Sequence, residues 1–228
     1  MADYIVELLA SFCAVVIVLT LHEFAHALVA YKCGDPTPKW EGRLSLNPLR
    51  HYDLWGLLCF TFVGFGWAKP VSVNAYNFRN YRAGLILTAC AGVVANFILA
   101  FLVYPLYLVV AYYVPHIPFV TLLLRDFFYF VFAYSLSFFV FNLLPLYPLD
   151  GFRILDAAHR PHGRLTRFLR ATGQYSLFAL LPCSFLCKLL VRFGISQMAW
   201  FDILGWFMQF ATELLGWPIK ALWGLIPW

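Results

Sequence analysis

Residues 4–31 read YIVELLASFCAVVIVLTLHEFAHALVAY, an apolar run whose only charged or imidazole side chains are Glu7, His22, Glu23 and His26. Roughly 20 apolar residues in a helix cross the hydrocarbon layer, where no water can satisfy a bare backbone. The run is long enough to span, and its four polar side chains must face protein or water along part of its length. Four further stretches read the same way or nearly so: about 83–114, 119–146, 173–193 and 199–226. The last is punctuated by Asp202, Glu213 and Pro218. Composition agrees, with 63% hydrophobic and only 12% charged residues, whereas a soluble domain sits nearer half apolar and a quarter charged. The expectation is an all-α polytopic membrane protein.

Charge placement orients it. Residues 31–83 hold Lys32, Lys39, Arg43, Arg50, Lys69, Arg79 and Arg82, and residues 151–170 hold Arg153, Arg160, Arg164, Arg167 and Arg170. The N-terminus and the connection near 112–121 have no Lys or Arg. By the positive-inside rule both basic loops are cytoplasmic and the N-terminus is outside. Loop placement accounts for the arginines without nucleic acid. Asp3 and Glu7 stand where a signal peptide's basic region belongs, so no cleavable leader is expected. Cysteines at 13, 33, 59, 90, 183 and 187 form no CxxC pair and read as buried, inert thiols.

No linker or repeat divides the chain, so residues 1–228 read as one membrane domain with a core at about 4–155 and additional helices at about 173–228. Residues 54–67, LWGLLCFTFVGFGW, are apolar inside an otherwise polar connection. Gly56, Gly64 and Gly66 among β-branched and aromatic neighbours predict a re-entrant strand or loop near 54–75 rather than a helix. Such backbone is tolerated at membrane depth only beside a wet, protein-walled cavity. Pro145 and Pro148 predict a break in the third span just before Asp150.

His22-Glu23-Phe24-Ala25-His26 is an HExxH pattern on a predicted helix. At 3.6 residues per turn the two imidazoles share a face, and that spacing lets them bind one tetrahedral zinc. Glu23, turned about 100° away, can reach water at the metal without binding it. Zinc needs a third protein ligand. Asp150 is the best candidate, as the acidic residue nearest membrane depth away from the chain ends, although it could instead cap a helix beginning near Gly151. Asp126 is the rival, but it abuts Arg125 at the wrong end of its span.

These residues resemble the site-2 protease family of intramembrane zinc metalloproteases. The resemblance lies in LHEFAHALVAYKCGD (21–35), GRLSLNPLRHYDLWG (42–56), GWAKPVSVN (66–74), AGVVANFILA (91–100) and FNLLPLYPLDGFRIL (141–155). It is closest to the compact subgroup without PDZ or CBS domains. The resemblance implies a three-helix catalytic core with Asp150 as third zinc ligand, to which the remaining apolar runs add about two further C-terminal spans. It also implies that Asn96 and Asn142 lie near the active site, where an amide can donate to an oxyanion or an unwound substrate backbone. An interhelical hydrogen bond is the alternative for each. One departure is visible: Val93 follows Gly92 where the family commonly has proline, which bears on how Asn96 is oriented.

Other conspicuous residues take plainer readings. His51 and Asp53 are expected to stabilise a loop, His116, His159 and His162 to lie at the surface or interface, and the tryptophans to anchor in the interface. The function expected is hydrolysis of peptide bonds within or near transmembrane segments, with one zinc per chain, a membrane-protein substrate, the lipid bilayer as surroundings and the site opening toward the cytoplasm. Three alternatives compete: a membrane metalloprotease with Glu213 as third ligand, a non-enzymatic zinc-holding protein, and a metal transporter. Glu23 argues against the second, and the scarcity of polar ligands after Asp150 against the third.

Overall fold

In a computed structural model, all residues are described except 1, 64–67, 116, 118, 159–162 and 227–228. The helices are α1 (Ala2–Cys33), α2 (Thr37–Trp40), α3 (Leu54–Val63), α4 (Tyr81–Tyr113), α5 (Val120–Leu143), α6 (Asp150–Ala158), α7 (Arg164–Arg192) and α8 (Ile203–Trp223). No strand occurs among the described residues, only an isolated antiparallel bridge between Tyr52 and Ala68. His116, His159 and His162 lie outside the described residues.

α1, α4 and α5 each pack against the other two and form the core. Ala10, Ala14, Ala27 and Ala30 on α1 are completely buried, as is Ala100 on α4. Small side chains let backbones approach closely, and dispersion then stabilises a bundle that lipid cannot drive together hydrophobically. Aromatic residues fill the remaining gaps. Phe127, Phe128 and Phe130 pack on the Ala14, Val18, Val103 and Val131 cluster, and Ser11 Oγ meets Tyr134 Oη at 2.7 Å across α1 and α5.

Four helices are long and apolar enough to cross a membrane: 3–33, 81–113, 120–143 and 164–192. One of these four, 164–192, follows the core. α8 is helical and carries Gln209, Glu213 and Lys220, and it is not among these four. α7 begins at Arg164, earlier than the apolar run suggested, because its arginine-rich first turns are helical as well.

The expected strand or loop at 54–75 is also corrected in part. Residues 54–63 are helical because Gly56 falls in the first turn and Asp53 caps it, its carboxylate accepting from Gly56 N at 3.0 Å. Gly64 and Gly66 lie outside the described residues. The chain nevertheless returns to its starting point, since Lys69 N donates to His51 O at 3.0 Å. His51 is fully buried and its Nε2 meets Ser45 O at 2.7 Å, so it pins this loop.

Asp35 joins the end of α1 to the approach to α4. Its completely buried carboxylate accepts from Thr37 N (3.1 Å), Thr37 Oγ1 (2.6 Å), Asn74 N (2.7 Å) and Asn77 Nδ2 (2.9 Å). Gly34 precedes it with φ +117°, a conformation that a side chain resists, and a Cβ there would stand 2.9 Å from Asn77 O. Asn80 then caps α4 through Ala83 N at 3.1 Å.

Candidate metal centre

α1 places His22 and His26 one turn apart on the face that meets α4, and both are buried. α5 ends at Leu143, as the prolines predicted, and α6 starts at Asp150 itself, delivering that carboxylate to the histidines. His22 Nε2 and His26 Nε2 are 3.0 Å apart, and Asp150 Oδ2 lies 3.4 Å from the first and 3.1 Å from the second. Ligand atoms bound at 2.0–2.1 Å to a tetrahedral zinc stand about 3.3 Å apart. The triangle therefore fits that metal.

Asp150 Oδ2 supports the same fit, because it is buried and accepts no hydrogen bond from any described group. The atom facing the histidines caps nothing. Its other oxygen, Oδ1, stands 3.7 Å from Arg153 Nη1 one turn along α6. Burial pushes the Asp150 carboxyl up, but the two histidines outweigh burial and hold it well below the usual carboxylate range. An ionised carboxylate is the form a metal takes.

Behind the histidines stands α4. His26 Nδ1 is 2.7 Å from Thr88 O, and His22 Nδ1 is 3.1 Å from Asn96 Nδ2. Gly92 lies between these two positions. A Cβ on it would come within 2.4 Å of His26 Nε2 and 2.6 Å of His22 Cε1, so only glycine leaves the space. α4 is continuous through the buried Val93, and the residue that departs from the family pattern introduces no break.

A cavity of about 320 Å³ opens beside the cluster, and His22, Glu23, His26, Asn142, Asp150 and Arg153 all line it. Glu23 is half-buried, and its Oε2 accepts from Val71 N at 3.2 Å. Asn142 donates to Phe138 O at 3.1 Å. The segment carrying Val71 is held by Arg43, a buried guanidinium that donates to the carbonyls of Arg50, Lys69 and Pro70. A larger cavity of about 660 Å³ lies among α5, α7 and α8, and Phe138 and Phe141 line both.

The alternative ligands stand elsewhere. Glu213 is exposed and accepts from Gln209 Nε2 at 2.9 Å, and Asp126 pairs with Arg125 at 3.0 Å. Sequence reading gave Thr88, Gly92 and Arg43 no role at the site, and reached Val71 only as part of the GWAKPVSVN stretch that carries the family resemblance. Two of these act through backbone atoms, which side-chain patterns do not display. Thr88, Gly92 and Asn96 do repeat every four residues, matching His22 and His26, and that register was the available signal.

The model for peptidase family M50 matches residues 114–181. The chain is 39% identical over 181 residues to "Putative zinc metalloprotease YwhC" of Bacillus subtilis, an alignment covering 73% of this chain and 83% of that protein. It is 30% identical over 192 residues to "Putative zinc metalloprotease Rip2" of Mycobacterium tuberculosis, covering 82% of this chain and 71% of that one. No solved structure matches the chain.

Proposed function

Because the chain belongs to peptidase family M50, the membrane zinc metalloproteases of the site-2 type, we propose that it hydrolyses peptide bonds within or near transmembrane segments of other membrane proteins. One observation carries the reading. Two imidazoles and a carboxylate converge on one point inside a bundle of spanning length, and Glu23 lines the same cavity.

We assign His22, His26 and Asp150 as ligands of one zinc ion per chain. Zinc held there supplies Lewis acidity, acidifying water and polarising the carbonyl under attack. Glu23 takes the proton of the attacking water and passes it to the leaving amine. Asn142, at the cavity wall, donates to the oxyanion or to the unwound substrate backbone. The catalytic unit is about 4–155 within a single domain of 1–228. With both basic loops cytoplasmic, the N-terminus is outside and the site opens toward the cytoplasm.

A substrate helix hydrogen-bonds its own backbone, so it must unwind before its carbonyl can be attacked. The test is cleavage of single-span substrates in proteoliposomes, one with a Gly-Pro break near the scissile region and one with a continuous Leu-Ala helix. The account expects the broken helix to be cut at least ten-fold faster by wild type, with cleavage by Glu23→Gln lowered by about 10²–10⁴. Equal rates on the two substrates would remove the unwinding step. Near-wild-type cleavage by the variant would remove the catalytic assignment.

A further inference from the structure

The histidines on α1 and the groups behind them on α4 share a four-residue register. Thr88, Gly92 and Asn96 fall on one face of α4, two turns from end to end. α4 runs antiparallel to α1, so Thr88 backs His26 and Asn96 backs His22, while Gly92 leaves room for the rings between them. Asn96 is completely buried, and its Oδ1 has no hydrogen-bond partner among the described residues.

Asn96 was expected near the active site as a possible oxyanion donor. Its position argues for another role. It meets His22 at Nδ1, on the ring's far side from Nε2, and does not line the catalytic cavity. A histidine that ligates through Nε2 carries its remaining proton on Nδ1 and must donate it. Thr88 O is such an acceptor for His26. For His22 the partner in place among the described residues is the Asn96 amide, whose oxygen and nitrogen occupy interchangeable positions.

We infer that Asn96 is a positioning residue of the metal centre: its Oδ1 accepts the His22 Nδ1 proton and fixes the tautomer and ring orientation that present Nε2 to zinc. The inference rests on the proposed His22, His26 and Asp150 ligand set and deepens it. It makes α4 a template that supplies one acceptor per ligand histidine, one from the backbone and one from a side chain.

The experiment is zinc affinity of the full-length, detergent-purified protein, measured by chelator competition for wild type, Asn96→Leu and Asn96→Asp. The visible spectrum of each Co²⁺-substituted protein is recorded alongside. Asn96→Leu is expected to bind zinc 10–100-fold more weakly, the range for loss of a ligand's outer partner, with an altered Co²⁺ spectrum. Asn96→Asp keeps an acceptor at the same place and retains wild-type affinity and spectrum, whether or not the leucine variant purifies folded. An aspartate variant that loses zinc ten-fold or more overturns the inference. So does a leucine variant with wild-type zinc affinity and spectrum but no turnover, which is the signature of an oxyanion donor. A wild type that binds no zinc would overturn the ligand set as well, so the two failures are distinguishable.

Discussion

The backbone N–H of Val71 donates to the Glu23 carboxylate at 3.2 Å, tying the returning segment after α3 to the proposed catalytic base. Arg43 holds that segment from behind through the Lys69 and Pro70 carbonyls. The polar connection between the first two spans is thus part of the site's wall. Gln in place of Glu23 keeps an acceptor for Val71 but cannot take a proton. Glu23→Gln should retain zinc and the loop's geometry while turnover falls by about 10²–10⁴. Turnover in proteoliposomes beside metal content checks this, and near-wild-type cleavage would remove Glu23 from the mechanism.

Gly92→Ala tests the close approach of α4. A methyl group there would stand 2.4 Å from His26 Nε2, well inside contact distance. Either the imidazoles rotate off the metal or α4 moves away from α1. Overpacking of this kind costs about 1–3 kcal/mol. The expected result is loss of most bound zinc with a lowered unfolding temperature, read by metal analysis and a thermal melt. Full zinc content would show that the rings have slack the structure does not display.

The site was legible in the sequence where chemistry follows from helical spacing. His22 and His26 at i and i+4 need only a helix to share a face, and the long apolar run guarantees that helix. Asp150 stood out because a carboxylate at membrane depth requires a partner. Residues 54–63 misled because an apolar segment without periodicity does not distinguish helix from strand. Gly56 falls in the first turn, where it does not oppose helix. The Thr88 carbonyl and the Val71 amide could not be read, since backbone partners depend on how two distant segments meet.

Asp35 yields a pH-dependent prediction. Burial pushes its carboxyl up, and hydrogen bonds from Thr37, Asn77 and Asn74 more than offset this, leaving it below its ordinary value. A carboxylate depressed in the folded state stabilises the protein above its unfolded value of about 3.9, and that contribution fades as pH falls through the lower folded value. Asp35→Ala should cost about 2–3 kcal/mol near neutral pH by stranding its donors, roughly 5–10 °C in unfolding temperature. Asp35→Asn should also melt below wild type, with the gap narrowing below about pH 4. A gap independent of pH would show that the ionised form is not what matters.

Orientation can be tested directly. In a cysteine-free background, a cysteine at the exposed Leu49 should react with a membrane-impermeant maleimide only after intact cells are permeabilised. One at the exposed Tyr113 should react without permeabilisation. The reverse pattern would place the N-terminus and both basic loops on the opposite sides.

The most direct test of the central claim is zinc per polypeptide in detergent-purified wild type, Glu23→Gln and Asp150→Ala. The account predicts one zinc in wild type and in Glu23→Gln, and clear loss in Asp150→Ala, where removal of Oδ2 leaves two imidazoles alone. Zinc-free wild type, or full retention in Asp150→Ala, would contradict the metal centre described here.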